Sequence, residues 1–228
     1  MRIRTCRPHK APPPSTAVSM HDKALEHLRA ADEKLAVLID TVGPCAIRPD
    51  RKQSPFEALV EAVAHQQLTG KAAKTILGRV KALHSHRPFP TPEDLVSTPE
   101  EALRRAGLSR AKVAAVKDIS AKVLDGTIPS PKKLSKLSDE EIIERLTAIR
   151  GVGQWTVEML LIFKLGRPDV LPVDDYGVRK GFAITYRRGR MPKPAALLRH
   201  GERWRPYRSV ASWYMWRALE LSRQVSRG

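Results

Sequence analysis

The segment Leu146-Thr147-Ala148-Ile149-Arg150-Gly151-Val152-Gly153-Gln154-Trp155-Thr156 constrains this chain more than any other. It reads as the end of one helix, a tight Gly-Val-Gly turn and the immediate start of a second helix. Such a turn points backbone N–H groups outward at a helix N-terminus, where the partial positive charge suits an anion. Glycine also builds helix turns with no ligand at all, so the anchor gains meaning from its surroundings. Beyond the second helix, Leu171-Pro172-Val173-Asp174-Asp175-Tyr176 sets a carboxylate at the start of a further helix. A phosphate anchor and a carboxylate on one scaffold suggest an enzyme acting on nucleic acid, not merely a protein that holds it.

Charge names the anion. Across 228 residues, 41 Lys and Arg outnumber 24 Asp and Glu, a formal net charge of +17. Residues 179–228 carry 13 Lys or Arg against only Glu202 and Glu220, so 11 of those 17 net charges lie there. An imbalance of this size points to a polyanion gripped through its phosphates, with affinity that falls as salt rises. A basic surface kept for solubility is the lesser explanation. Anionic membrane fits less well, because no apolar run reaches transmembrane length and no basic amphipathic helix bares a hydrophobic face. Cys6 and Cys45 are the only cysteines, too few for a four-thiolate zinc site or a four-cysteine iron–sulfur cluster. With Cys6 in a tail, a structural disulfide is not expected and a reducing interior is. Residues 1–20 begin with a basic, proline-rich stretch that lacks the apolar core of a secretory signal, and read as a disordered arm.

Helix ends are clearly marked. Ser54-Pro55-Phe56-Glu57 is a capping box with proline at the first helical position. Behind it, Phe56, Leu59, Val60, Val63 and Ala64 form the apolar stripe of a packed helix. Gly70 opens a second helix through Ala73, Ile76, Leu77, Val80 and Leu83. Thr98-Pro99-Glu100-Glu101 repeats the capping chemistry ahead of a short helix closed by Gly107. Ser109 caps a helix bearing Val113, Val116, Ile119 and Val123, and Ser138-Asp139-Glu140-Glu141 starts one with Ile142, Ile143 and Leu146 inward. Pro206 precedes a last helix with Val210, Trp213, Trp216 and Arg217. Asp22 to Asp40 reads as one helix packed against the C-terminal segment. Strand alternation is absent, so the fold is all-α.

Asp174 is well placed to cap the helix that begins near Tyr176, with Asp175 in its first turn. Acids are ordinary at such positions, and both would cap in a purely structural protein. The aromatic residues shift the balance. They make up only 5% of the chain, yet Trp155 starts the helix after the glycine turn, and Trp204, Tyr207, Trp213, Tyr214 and Trp216 cluster near the C-terminus. If the last helix folds back beside the turn, Trp155 and Trp216 would sandwich a flat, electron-poor ring.

Three motifs together resemble the helix–hairpin–helix DNA glycosylases, in particular the branch that removes alkylated bases, typified by 3-methyladenine DNA glycosylase II. They are Ala62-Val63-Ala64-His65-Gln66-Gln67-Leu68, Ile149-Arg150-Gly151-Val152-Gly153-Gln154-Trp155-Thr156 and Val170-Leu171-Pro172-Val173-Asp174-Asp175-Tyr176. Arg205-Pro206-Tyr207-Arg208-Ser209 running on to Met215-Trp216 is a lesser match. The resemblance implies two helical lobes with the active-site cleft between them. Residues 21–55 and 165–228 would make the terminal lobe, and 56–164 the central lobe carrying the hairpin. It makes Asp175 the catalytic acid, stabilising the sugar cation as the N-glycosidic bond breaks. Gln67 or its neighbour Leu68 would fill the gap left by the extruded nucleotide. Gln66, Gly151, Gly153 and Thr156 join them in contacting DNA, and Trp155 and Trp216 line the base pocket. Backbone carbonyls of Thr147, Ile149 and Val152 match positions that hold a monovalent cation, Na+ or K+, between hairpin and phosphate.

Two departures from the wider family narrow the expectation. Bifunctional relatives place a lysine nucleophile where this chain has Trp155, so imine-forming strand cleavage is not expected. Their iron–sulfur cluster cannot be built from two cysteines. The expected activity is monofunctional excision of 3-methyladenine- and 7-methylguanine-type purines from double-stranded DNA, initiating base excision repair. The protein would act as an intracellular, DNA-associated monomer with no required cofactor and no membrane partner. A glycosylase for another damaged or mismatched base, and a non-catalytic DNA-binding module, are the alternatives. Asp175 argues against the last, since a pure binder has no need of a carboxylate facing a polyanion.

Overall fold

Local capping chemistry starts most of the helices, and burial of one face per helix holds them together. The computed structural model describes residues 20–50, 52–187 and 189–225, and every regular element among them is helical. Residues 1–19 of the expected arm, with Cys6, lie outside the described residues. Helices α1 (Met20–Ala31) and α2 (Glu33–Val42) open the fold. They precede α3 (Pro55–His65), α4 (Gly70–Ala82), α5 (Pro92–Ser97), α6 (Glu100–Arg105) and α7 (Arg110–Leu124). Then come α8 (Pro131–Leu134), α9 (Asp139–Thr147) and α10 (Gln154–Leu160), which widens into a π-helical turn at Leu161–Leu165. The chain ends with α11 (Tyr176–Thr185), α12 (Pro194–Gly201), a 3₁₀ turn at Glu202–Trp204 and α13 (Arg208–Val225).

The Ser54 and Ser138 capping boxes form with both reciprocal hydrogen bonds, and Ser109 caps α7. Thr98 does not cap α6. Its hydroxyl donates back to the Asp94 carbonyl at 2.6 Å and meets His84 Nε2 at 2.9 Å, which leaves Pro99 as the N-cap without a side-chain bond. The apolar stripe of α3 is buried as expected and packs on α7, α4 and α10. Leu83, expected in the core, is 44% exposed, because α4 ends at Ala82 before its side chain can turn inward.

The expected helix from Asp22 to Asp40 is broken at Asp32. That residue leaves helical geometry (φ −152°, ψ 104°) and caps α2 by accepting the Leu35 amide. Its other carboxylate oxygen accepts the Tyr186 hydroxyl at 2.5 Å and the Trp204 indole N–H at 3.1 Å, with His200 Nε2 at 2.9 Å. These donors hold the buried carboxyl well below the usual carboxylate range despite the opposing effect of burial. Through this residue, α1 and α2 are fastened to α11, α12 and the 3₁₀ turn.

Helices α11 and α13 form the tightest crossing. A Cβ on Gly181 would stand 1.8 Å from the Met215 carbonyl oxygen, so only glycine lets the two backbones meet there. The stronger helix contacts fall into two sets, a central one among α3 to α7, α9 and α10 and a terminal one among α1, α2, α11, α12 and α13.

Candidate active site

Asp175 immediately precedes α11. It is the N-cap of α11, with Oδ1 accepting the Val178 amide at 2.7 Å. The cap therefore falls one residue later than expected. Asp175 N bonds the Pro172 carbonyl, which closes a turn through Val173 and Asp174 and leaves Asp174 exposed. Oδ1 also accepts the Trp216 indole N–H at 2.8 Å, and Oδ2 accepts that of Trp155 at 2.7 Å. The two expected pocket aromatics thus meet at the carboxylate, edge first. They do so as hydrogen-bond donors, because a carboxylate near an indole takes its N–H. Phe163, on the π-helical turn, stacks on Trp216 with centroids 5.6 Å apart. A Cβ on Gly177 would lie 2.6 Å from Trp216 Cδ1, so this glycine admits the indole to the N-terminus of α11.

A cavity of about 440 Å3 opens beside Trp155, lined by Ala62, His65, Gln66, Gln67, Thr156 and Met159. A neighbouring cavity of about 260 Å3 shares Ala62, His65, Thr156 and Met159 and reaches Phe163 and Lys164. The two form one largely apolar trough from the loop after α3 to the Phe163–Trp216 stack. Lys164 pairs with Asp50 at 3.2 Å. Thr156, expected to contact DNA, is 6% exposed and lines this trough, since its place in the first turn of α10 aims it at α3.

The loop after α3 carries Gln66, Gln67 and Leu68. Gln67 takes a left-handed backbone (φ +56°), a conformation that costs free energy outside glycine, and its side chain is exposed. Leu68 is exposed beside it. Gln66 turns instead to the hairpin, its Nε2 donating to the Gly151 carbonyl at 2.9 Å. Gly151 (φ +75°) makes the sharp turn, and Gly153 is the N-cap of α10, so both present backbone at the surface. Thr147 is the last residue of α9, and the Ile149 carbonyl accepts the Val152 amide at 3.1 Å. Among the described residues no group of three or more His, Cys, Asp or Glu is arranged to hold a metal ion.

Sequence reasoning passed over Glu158. It is buried on α10 with Gln154 Nε2 donating to it at 3.0 Å. Burial pushes its pKa up to about 7, against the Gln154 hydrogen bond, and the charges of Asp174 and Asp175 add to the rise. The signal was present: Glu158 is the single charge in the run from Trp155 to Phe163. The spacing of Gly177 and Gly181, one helical turn apart, was an equally legible sign of a close helix approach.

Residues 60–206 match the model of the HhH-GPD superfamily of base excision DNA repair proteins. The chain belongs to this family. Among relatives of this HhH-GPD protein, DNA-3-methyladenine glycosylase 1 of Schizosaccharomyces pombe is 42% identical over 203 residues, 88% of each chain. Two solved structures are similar throughout. The 3-methyladenine DNA glycosylase of Schizosaccharomyces pombe in complex with abasic DNA superposes with a TM-score of 0.75 at 43% identity, covering 85% of this chain and 95% of that one. A DNA-3-methyladenine glycosidase from Bacillus halodurans gives 0.80 at 36%, covering 88% and 91%. The expected resemblance and the all-α helix–hairpin–helix fold are both borne out.

Proposed function

We propose that the protein hydrolyses the N-glycosidic bond of alkylated purines in duplex DNA, releasing 3-methyladenine- and 7-methylguanine-type bases. One observation carries this reading. A carboxylate fixed by a backbone amide and two indole N–H groups is bonded to Trp155, which lines an apolar trough beside an exposed loop and a phosphate-suited hairpin. An alkylated purine is already cationic, so it leaves as a neutral base and keeps the electron pair of the C1′–N bond. The sugar is left as an oxocarbenium cation, and a preorganised anion is worth most where such charge develops. Water then attacks C1′ and loses a proton to Asp175 or to solvent. Strong acid assistance to the leaving group is unnecessary for such a base.

The Thr147, Ile149 and Val152 carbonyls suit a hard monovalent cation, because Thr147 ends α9 and the Ile149 oxygen keeps a lone pair beside its bond to the Val152 amide. Na+ or K+ bound there would add positive charge where the hairpin meets a phosphate. One chain carries carboxylate, trough and hairpin, so a monomer suffices to act on DNA.

Incubation with alkylated duplex should release free 3-methyladenine, identified chromatographically, and leave an intact abasic strand. Borohydride should trap no enzyme–DNA adduct. An adduct surviving denaturing electrophoresis would overturn the monofunctional reading and direct attention to Lys164.

A further inference from the structure

One face of α7 touches both DNA-facing elements of the central lobe. Lys112 Nζ donates to the Ala64 carbonyl at 2.8 Å and the Gln66 carbonyl at 2.7 Å, across the C-terminus of α3. One turn on, the Ala115 methyl lies 2.9 Å from where a Cβ on Gly151 would stand. Another turn on, Asp118 Oδ2 accepts the Arg150 amide at 2.7 Å. Residues three apart share a helix face, so the loop with Gln67 and the Gly151 hairpin rest on one rigid rod. The Gln66–Gly151 hydrogen bond closes the circuit.

From this geometry we infer that Lys112 is a positioning residue for nucleotide extrusion. It holds the left-handed Gln67 loop at a fixed reach from the phosphate-gripping hairpin, so that gripping the backbone and filling the vacated stack occur in register. The inference rests on the glycosylase reading above. Lys112 touches neither the trough nor Asp175, so bond breaking itself should not need it. Two carbonyls at a helix C-terminus are good partners for a cation. Partial burial lowers the Lys112 pKa, as expected for an ammonium drawn from water to reach them.

The test compares wild type, Lys112→Met and Lys112→Arg in single-turnover release of 7-methylguanine from two duplexes. In one the lesion faces cytosine; in the other it faces an abasic analogue, so pairing no longer resists extrusion. Lys112→Met should lose about tenfold or more against cytosine but only about threefold opposite the abasic site, because the second substrate has less unpairing to overcome. Lys112→Arg should recover most of the rate. Equal losses on both duplexes, or no loss, would overturn the inference, since a merely structural role cannot distinguish them. A second readout needs no catalysis. Fluorescence of 2-aminopurine placed beside an abasic analogue should rise on binding wild type and rise less with Lys112→Met. If wild type releases no base while this difference persists, the substrate reading fails and the positioning role stands. If the fluorescence is unchanged by the substitution, the positioning role fails.

Discussion

Asp175 does two jobs with one carboxylate. Its Oδ1 caps α11, and each oxygen accepts one indole N–H. Asp175→Asn keeps one oxygen for the cap and Trp216, deletes the charge, and sets an NH2 against the N–H of Trp155, a residue 51% exposed that can turn to water. Melting temperature and undamaged-duplex affinity should stay near wild type, and base release should fall by about a hundredfold or more. Near-normal release would remove Asp175 from the mechanism. Asp174→Ala should leave stability nearly unchanged, because the cap belongs to its neighbour. Glu158 makes a different prediction. Its folded pKa of about 7 lies above the ordinary 4.5, so between those values the folded state holds a proton that the unfolded state has lost. Stability should fall as pH rises through that window, by about 3 kcal/mol at most, and level off above pH 7. Glu158→Gln removes the titration. Its melting temperature relative to wild type should climb from pH 5 to pH 8, and a constant difference would refute the buried-acid account.

Among the elements, α11 and α13 decide the site. Tyr176–Thr185 carries Asp175 as its N-cap, and Arg208–Val225 delivers Trp216 from the middle of a long helix. Gly177 and Gly181 let the two lie close enough for the indole to reach the carboxylate. Gly181→Ala adds a methyl with nowhere to go and should cost about 3 kcal/mol through overpacking, roughly 6–12 °C in melting temperature. Gly78→Ala is the control. Gly78 lies inside α4 with nothing within 4 Å of the new methyl. That change should raise stability by about 0.5–1 kcal/mol through helix propensity. Calorimetry of both variants separates close approach from simple glycine flexibility.

The whole molecule carries a charge of +17, but not all of the C-terminal excess is available to a ligand. Arg208 and Arg205 grip Asp169 at 2.7 Å, and Arg217 pairs with Glu220 and lies over Trp213. These arginines help tie α13 and its approach into the terminal lobe. Affinity for undamaged duplex should still be dominated by phosphate neutralisation. With four contacts, the Kd should rise by about a hundredfold between 50 and 200 mM salt. A Kd indifferent to salt would mean that the basic face is not the DNA surface. Within the described residues, no helix is long and apolar enough to cross a membrane.

What the sequence determined by itself is what local chemistry determines. Ser54, Ser109 and Ser138 start their helices because a cap closes its hydrogen bonds within four residues, and the buried faces of α3 and α9 follow from their periodicity. The three motifs suggested Asp175 and Trp155, and the lesser match from Arg205 to Trp216 suggested Trp216, as parts of one family pattern. Tertiary structure decided the rest, because each remaining choice was between local options of similar free energy. Whether Asp174 or Asp175 caps α11 depends on a turn closed by Pro172 and on two indoles arriving from other helices. Thr98 abandons its own helix for Asp94 and His84. The break at Asp32 is fixed by Tyr186, His200 and Trp204, more than 150 residues further along the chain. Glu158 became a proton-holding acid only when packing removed its water. Long-range desolvation and competing donors leave no periodicity in a sequence, so only the folded chain could reveal them.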